Sequence, residues 1–350
     1  MKTKQFIYFF CFISLFISAC KKPKETEKII PMVFTVQPVE ITNVKAKLRA
    51  NYKCGTEKIT YYGFLYKKKS DDAWTQVSAT QHTLKSFECN ISTLENDKDF
   101  VYKAVIEEAS GKKYYGEEMG FRTMSTLTDI DGNLYLTMRY GEMFNTTIWM
   151  TENLRVTRFA DGTPIEGRNK GENTESDVPI YYYSHLHTNS QEKRDPNYGF
   201  LYNWAAATGA EDCQSSPKYS PPLYYVQGAC PDGWHLPTGG DWGKLFDLYK
   251  WNAAYYKTDN WIDLPYTNNN YSQFSLEPAG FYNYDKMSNF NGVGHSAYLW
   301  TSAEVAEFVA SCIVVIPKIP EIPKTIFMEP CNKWEGLSVR CVKDIVELNP

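Results

Sequence analysis

The chain has 350 residues, 37 of them basic and 41 acidic, for a formal charge of −4. Such a mildly acidic surface lacks the basic stripe that nucleic acid requires, so no nucleic-acid partner is expected. Aromatic residues reach 15%, with 26 Tyr and 9 Trp, a composition that suits strands and ordered loops better than helix bundles; the length points to two domains.

Lys2 and Lys4 open the chain, and residues 6–17 are apolar apart from Ser14. That run is too short to span a bilayer, which takes ~20 apolar residues, but it suits a secretory leader over residues 1–19. It ends in Ile17-Ser18-Ala19-Cys20, which resembles the lipobox cut by the lipoprotein signal peptidase. Small residues at 18 and 19 fit the protease, and the Cys20 thiol carries the lipid. Several acyl chains on one cysteine give stable anchoring. Nothing later is apolar enough to span a membrane, so Cys20 is the expected anchor and outer-membrane lipid the expected partner. Lys21-Lys22-Pro23-Lys24 follows directly and the first acid is Glu25. Some bacteria mark lipoproteins for the outer face with acids right after the cysteine, so the sequence leaves open whether the domains face the periplasm or the exterior.

Residues 20–30 are polar and charged and read as a flexible stalk. From 31 to 124 short alternating runs follow: 44–50, 59–66, 87–91, 100–106 and 120–123. About seven strands in ~90–100 residues indicate a β-sandwich. Tyr62-Gly63-Phe64, Leu94 ahead of Phe100-Val101-Tyr102-Lys103-Ala104, and Tyr115-Gly116-Glu117 before Phe121-Arg122-Thr123 resemble the fibronectin type III-like modules of bacterial surface lipoproteins. Phe100 sits where such modules commonly carry a corner tyrosine, so that hydroxyl bond is expected to be missing. Cys54 and Cys89 fall on neighbouring predicted strands and are a candidate disulfide. Met124 to Thr128 reads as a short joint.

From Asp129 on, phrases recur in a fixed order: Asp129-Ile-Asp-Gly-Asn133, Ile148-Trp-Met-Thr-Glu-Asn-Leu154, Asp161-Gly-Thr-Pro164, Tyr198-Gly-Phe-Leu-Tyr-Asn-Trp204, Gly228-Ala-Cys-Pro-Asp-Gly-Trp-His-Leu-Pro-Thr238, Leu299-Trp-Thr-Ser-Ala-Glu304 and Gly336-Leu-Ser-Val-Arg-Cys341. Over about residues 128–346 the series resembles the Fibrobacter succinogenes major paralogous domain family of surface lipoproteins. That family is related in fold to formylglycine-generating enzymes and, more remotely, to C-type lectin-like domains. The resemblance implies an irregular α+β domain with one or two helices, small sheets and long ordered loops. Residues 237–250 read independently as a helix start, capped by Thr238 or Asp241, with Leu245, Leu248 and Tyr249 as its apolar stripe.

Export brings an oxidising compartment, where disulfides are the default. Of nine cysteines, Cys11 lies in the leader and Cys20 takes the lipid, so the odd remainder leaves at least one unpaired. Cys230 and Cys341 sit inside family phrases and are the expected bridge, with Cys213–Cys230 as the rival. Cys312 and Cys331 flank an insertion and can staple its base, leaving Cys213 over. No zinc-ligand spacing occurs, so neither metal nor cofactor is expected.

No catalytic constellation stands out. Formylglycine-generating enzymes bind copper through two late thiolates; Cys331 and Cys341 are the only late pair here, and their spacing does not match. Asp129-Ile-Asp-Gly-Asn133 begins like a calcium loop, but its glycine is early and Tyr140 stands where a glutamate is needed, so it reads as a turn. Glu277-Pro278-Ala279 resembles the Glu-Pro-Asn motif of C-type lectins but lacks its second carbonyl ligand. His185 and His187 share a strand face without a fixed carboxylate, and His235 reads as a core residue. Rings at Tyr181, Tyr182, Tyr183, Tyr224, Tyr225, Tyr255, Tyr256, Trp261, Tyr266, Tyr271, Tyr282 and Tyr284 alternate with amides, as glycan or peptide recognition requires, though core packing accounts for most such rings. The expected function is therefore a non-enzymatic binding or adhesion lipoprotein taking a glycan or protein ligand. A modifying enzyme on the related fold and a purely structural envelope component are the alternatives. Metabolic labelling with a fatty acid should mark the wild-type chain and not Cys20→Ser; label surviving in the variant would contradict lipidation at Cys20.

Overall fold

The computed structural model describes residues 28–141, 146–168, 178–183, 185–186, 193–194, 198–217, 219–220, 225–262, 270–283, 290–317 and 325–344. Cys20 and the leader lie outside the described residues, and no described helix is long and apolar enough to cross a membrane.

Nine short strands build the first unit: β1 (Met32–Val39), β2 (Ala46–Lys53), β3 (Ile59–Lys68), β4 (Thr75–Ser78), β5 (Gln81–His82), β6 (Ser86–Ile91), β7 (Asp99–Glu108), β8 (Lys113–Tyr115) and β9 (Met119–Arg122). One sheet runs β1-β2-β6-β5 and the other β4-β3-β7-β8, with β9 also pairing β7. In β2, Ala46, Leu48, Ala50 and Tyr52 are buried and the residues between them are not, the period-two signature of a strand with one face inward. The two inward faces close over Leu48, Phe64, Phe87, Tyr102 and Ile106, giving the fibronectin type III-like sandwich. Phe100 makes no hydroxyl bond and stacks on Phe121 at 5.4 Å. The neighbouring Tyr102 hydroxyl instead donates to the Val36 carbonyl.

Two expectations fail here. Cys54 and Cys89 are not bonded: Cys54 is exposed and Cys89 buried. Their strands are adjacent, but the register sets Cys89 opposite Leu48, six residues from Cys54, or about 20 Å at ~3.3 Å per residue. The stalk also ends earlier than expected, since Lys28 pairs with Glu57 at 2.7 Å and Ile29 exchanges bonds with Thr56.

The second unit runs β10 (Ser125–Thr128), β11 (Leu134–Tyr140), β12 (Thr147–Met150), β13 (Glu166–Arg168), β14 (Ile180–Tyr183), β15 (His185–Leu186), β16 (Lys193–Arg194), β17 (Phe200–Tyr202), α1 (Trp204–Thr208), β18 (Tyr219–Ser220), β19 (Tyr225–Val226) and α2 (Gly239–Asp247). After a 3-10 turn at Ala253–Tyr255 come β20 (Phe281–Tyr282), β21 (Phe290–Asn291), β22 (Ala297–Ala306), β23 (Val309–Val315), β24 (Ile326–Asn332), β25 (Leu337–Ser338) and β26 (Val342–Asp344). A seven-stranded sheet has the order β13-β14-β17-β25-β22-β23-β24, and a four-stranded sheet the order β10-β11-β12-β26. The large sheet is covered on both faces: Ala310, Cys312 and Val314 of β23 enter one core with Trp204 and Trp300, while Ile313 and Val315 enter another with Trp149 and Trp242. That two-sided burial explains why β23 is a continuous apolar run. The expected joint at 124–128 is instead β10, paired with β11, and Met124 is buried in the second unit's core.

Residues 336–344 tie this unit together. Val339 and Cys341 carbonyls accept from Leu154 N–H at 2.8 Å and Met150 N–H at 3.1 Å, and Val342 exchanges two 3.0 Å bonds with His235. Cys341 is bonded to Cys230, and Cys312 to Cys331. The Cys230–Cys341 bridge closes a loop of 111 residues, which in the chain-entropy picture stabilises the fold by roughly 4–5 kcal/mol. Between them the Arg340 side chain is fully buried. It donates to Asn153 Oδ1 at 2.8 Å, Ser275 O at 2.7 Å and Phe274 O. Burial pulls its pKa down to about 10, so it stays charged at neutral pH. The loop it grips has left-handed backbone at Asn270, Gln273 and Ser275, and Gln273 Oε1 accepts the buried Ile41 N–H of the sandwich at 3.0 Å.

Among the cysteines of the described residues, alkylation of the unreduced, denatured chain should label Cys54, Cys89 and Cys213, with only Cys54 reacting before denaturation. A single labelled thiol would contradict the free Cys54 and Cys89.

Candidate functional site

The residues singled out by sequence scatter rather than converge. Asp129 closes the β10–β11 hairpin: its carboxylate accepts the N–H groups of Asp131 and Asn133, both at 2.9 Å, and the Tyr135 hydroxyl at 2.7 Å. Asp131 is occupied by Thr157 and Arg158. Glu277 Oε2 accepts from Thr258 and Asn260, each at 3.0 Å. Among the described residues no three His, Cys, Asp or Glu side chains are grouped to hold a metal. His82 stacks on Tyr62; His185 lies in β15, and His187 falls outside the described residues. His235 is buried as expected, with its ring stacked 3.8 Å from that of Tyr225.

Most of the described candidate rings belong to the core. Tyr181, Tyr182, Tyr256, Trp261 and Tyr282 are buried, and burial pushes the phenols of Tyr182 and Tyr256 above their ordinary value. Tyr224, Tyr266, Tyr284 and the Tyr183 side chain lie outside the described residues. Of the other described candidates, Tyr225 and Tyr255 are half-buried and Tyr271 is exposed, and Tyr255 and Tyr271 pack with Tyr249 just past α2.

Thr238 is the N-cap of α2: its hydroxyl accepts from Asp241 N–H while the Asp241 carboxylate receives the Thr238 N–H, a reciprocal capping box. Burial acts to raise the Asp241 carboxyl, but His235 and Thr238 outweigh it and hold it below its ordinary value. Trp242, Leu245 and Phe246 face the core. The expected stripe was partly misplaced, because the helix ends at Asp247 and Leu248 turns outward, 48% exposed. Lys250 and Trp251 then both adopt left-handed backbone, φ 54° and 55°. Such a conformation costs an L-residue ~1–2 kcal/mol and persists only where the surroundings enforce it. Here Trp251 Nε1 donates to Asp247 Oδ1 at 2.7 Å and its ring leans on Phe246 at 5.0 Å. The result is an indole fixed at the surface, 38% exposed; two residues before it in the chain, Tyr249 packs with Tyr255 and Tyr271. Lys250 and Trp251 form one wall of a groove of about 600 Å³, and residues 325–329 of the β24 edge form the other. Sequence reading missed this groove. The available signal was Trp251-Asn252, just past the helix read over 237–250 and not singled out there.

The fold defines a two-part β-rich protein, a fibronectin type III-like sandwich followed by a larger β-rich domain with two short α-helices among its described residues. Residues 143–343 match the Fibrobacter succinogenes major domain, and the chain belongs to that family. No curated protein matches the chain. Among solved structures, the sensor domain of the anti-sigma factor RsgI4 in Pseudobacteroides cellulosolvens is 13% identical with a TM-score of 0.22, covering 27% of this chain and 93% of that one. A fibronectin type III domain from human KIAA0970 protein is 16% identical with a TM-score of 0.22, covering 32% and 84%. Murine CRIg is 11% identical with a TM-score of 0.21, covering 27% and 99%. At these values the likenesses carry no argument about function.

If the surroundings enforce the left-handed turn, Lys250→Gly should raise stability by ~0.5–1 kcal/mol in urea denaturation. A clear loss of stability would mean the turn is not strained.

Proposed function

We propose that this chain is an envelope lipoprotein, anchored in the outer membrane through acylated Cys20, whose second domain is a non-enzymatic binding module on a fold related to formylglycine-generating enzymes and C-type lectin-like domains. Its contact surface is the groove beside Trp251, and its ligand a glycan or an envelope protein. The observation that carries this reading is the fixed, exposed indole. An aromatic anchor held rigid before binding loses little entropy on engagement, which is why tryptophans dominate binding hot spots. The groove is open, and Met328 in its β24 wall is itself apolar and exposed. The competing enzyme reading needs two late thiols free to bind copper. Cys331 and Cys341 are instead held in separate disulfides, which favours binding over oxidation. The sandwich then works as a docked arm that sets the module's orientation, since Gln273 bonds its Ile41 N–H.

The test is a glycan array together with an envelope-protein capture, using the full chain and Trp251→Ala. A ligand that loses at least about tenfold in affinity with the variant is expected of a hot-spot tryptophan. A ligand indifferent to Trp251→Ala, or no ligand in either format, would contradict the proposal.

A further inference from the structure

The groove's second wall is a sheet edge, and its backbone polarity can be worked out residue by residue. β24 is the last strand of the seven-stranded sheet, paired on one side with β23. Pro330 lies opposite Ser311 and has no N–H to give to β23. The Ser311 carbonyl points the other way and accepts from the Thr301 hydroxyl at 3.1 Å. Two further bonds fix the same alternation. Thr325 O accepts the Ile316 N–H at 3.0 Å, so odd-numbered positions face β23; the Asn332 N–H goes to Glu335 Oε2, so even-numbered positions face away. Ile326 and Met328 therefore direct both N–H and C=O outward, and Pro330 its C=O. Among the described residues these groups have no backbone partner.

An edge of this kind is ordinarily blunted, and Pro330 and Glu329 do so at one end. Among the described residues the stretch from 325 to 328 carries no such device, and together with Glu329 it lines the groove. Side chains alternate with the backbone: Ile326 enters the core on the α2 side, and Met328 on that same face contacts the space beside Gly239, the first residue of α2. A strand added along β24 would thus place every second side chain against Met328 and Trp251, beneath the strained turn at Lys250 and Trp251. A sheet edge roofed by the end of a helix is the geometry of β-strand addition, in which main-chain bonds supply affinity and pockets for alternate side chains supply selectivity.

We propose that the ligand of this groove is an extended polypeptide segment that pairs with β24 through Ile326 and Met328 and sets an apolar side chain against Trp251. This inference rests on the binding function proposed above and narrows it to one ligand class. A glycan can stack on Trp251, but it offers no repeating N–H and C=O groups at strand spacing, so it would leave the outward row unmatched.

The probe is a set of end-capped octapeptides alternating apolar and polar residues, titrated by fluorescence polarisation against the full chain. The tightest peptide is then remade with N-methyl groups on its odd or on its even amides. One series should lose at least 100-fold in affinity and the other less than threefold, because only alternate amides face β24. Met328→Pro, which removes an outward N–H and leaves the β23 ladder intact, should cost at least tenfold with the unfolding midpoint unchanged. The N-methyl comparison stands even if that variant folds poorly. Equal tolerance of both series would overturn the inference, as would a dimer of the chain that Met328→Pro dissociates, since the edge would then serve a second copy. No peptide binding alongside Trp251-dependent glycan binding would overturn this inference and keep the binding function. No ligand of either class would overturn both.

Discussion

A single buried guanidinium organises the second domain. Arg340 is removed from water in full, and a buried charge is tolerated only where its donors are met. They are met by Asn153 and by two carbonyls of one loop. Each acceptor would be left unsatisfied if the guanidinium were lost, and charged hydrogen bonds of this kind are individually the strong ones. The consequence is geometric as well as energetic. The loop at 270–276 is held in a backbone conformation that its own residues disfavour, and that conformation presents Gln273 to the sandwich. One side chain thereby connects the closing segment, the irregular loop and the docking of the first unit.

The same segment carries Cys341, and the bridge to Cys230 fixes it from the other side. A domain with so little regular helix must satisfy its backbone through loops and side chains. The hairpin at Asp129, the capping box at Thr238 and the bonds around Glu277 each do so locally. The large sheet is covered on both faces up to its last strand, and the helix end that faces this strand is held by the Trp251–Asp247 bond and the Phe246 ring. The groove between them is open because its walls are held apart by the fold, and this is what makes it suited to recognition.

Features that depend on neighbouring residues were legible in the sequence. The Thr238 cap, the Asp129 turn and the alternating strands of the sandwich follow from local spacing, and the Cys230–Cys341 bridge followed from the family phrases. Features that depend on register or on distant pairing were not. Cys54 and Cys89 fall on adjacent strands, yet six residues of offset separate them, and no local pattern reveals an offset. Leu248 fits a helical stripe perfectly well until the helix ends one residue before it. The groove needs Trp251 to meet residues 325–329, which come from opposite ends of the domain's second half, and the joint at 125–128 became a strand only because β11 was there to pair with it. The long series of tyrosines misled for the opposite reason: rings that alternate with amides look like a surface, but this loop-rich fold uses them as its core.

The bonded closing segment and the β24 edge beside Trp251, unpaired among the described residues, should exchange their amide hydrogens at opposite rates. Residue-resolved hydrogen exchange on the full chain tests it most directly. Slow exchange is predicted for Met150, Leu154, His235 and Val342, whose N–H groups bond to or within the closing segment. Along β24 the account predicts a period of two, fast at Ile326 and Met328 and slow at Phe327 and Glu329. Uniform protection from 326 to 329, or a closing segment exchanging as fast as surface loops, would contradict it.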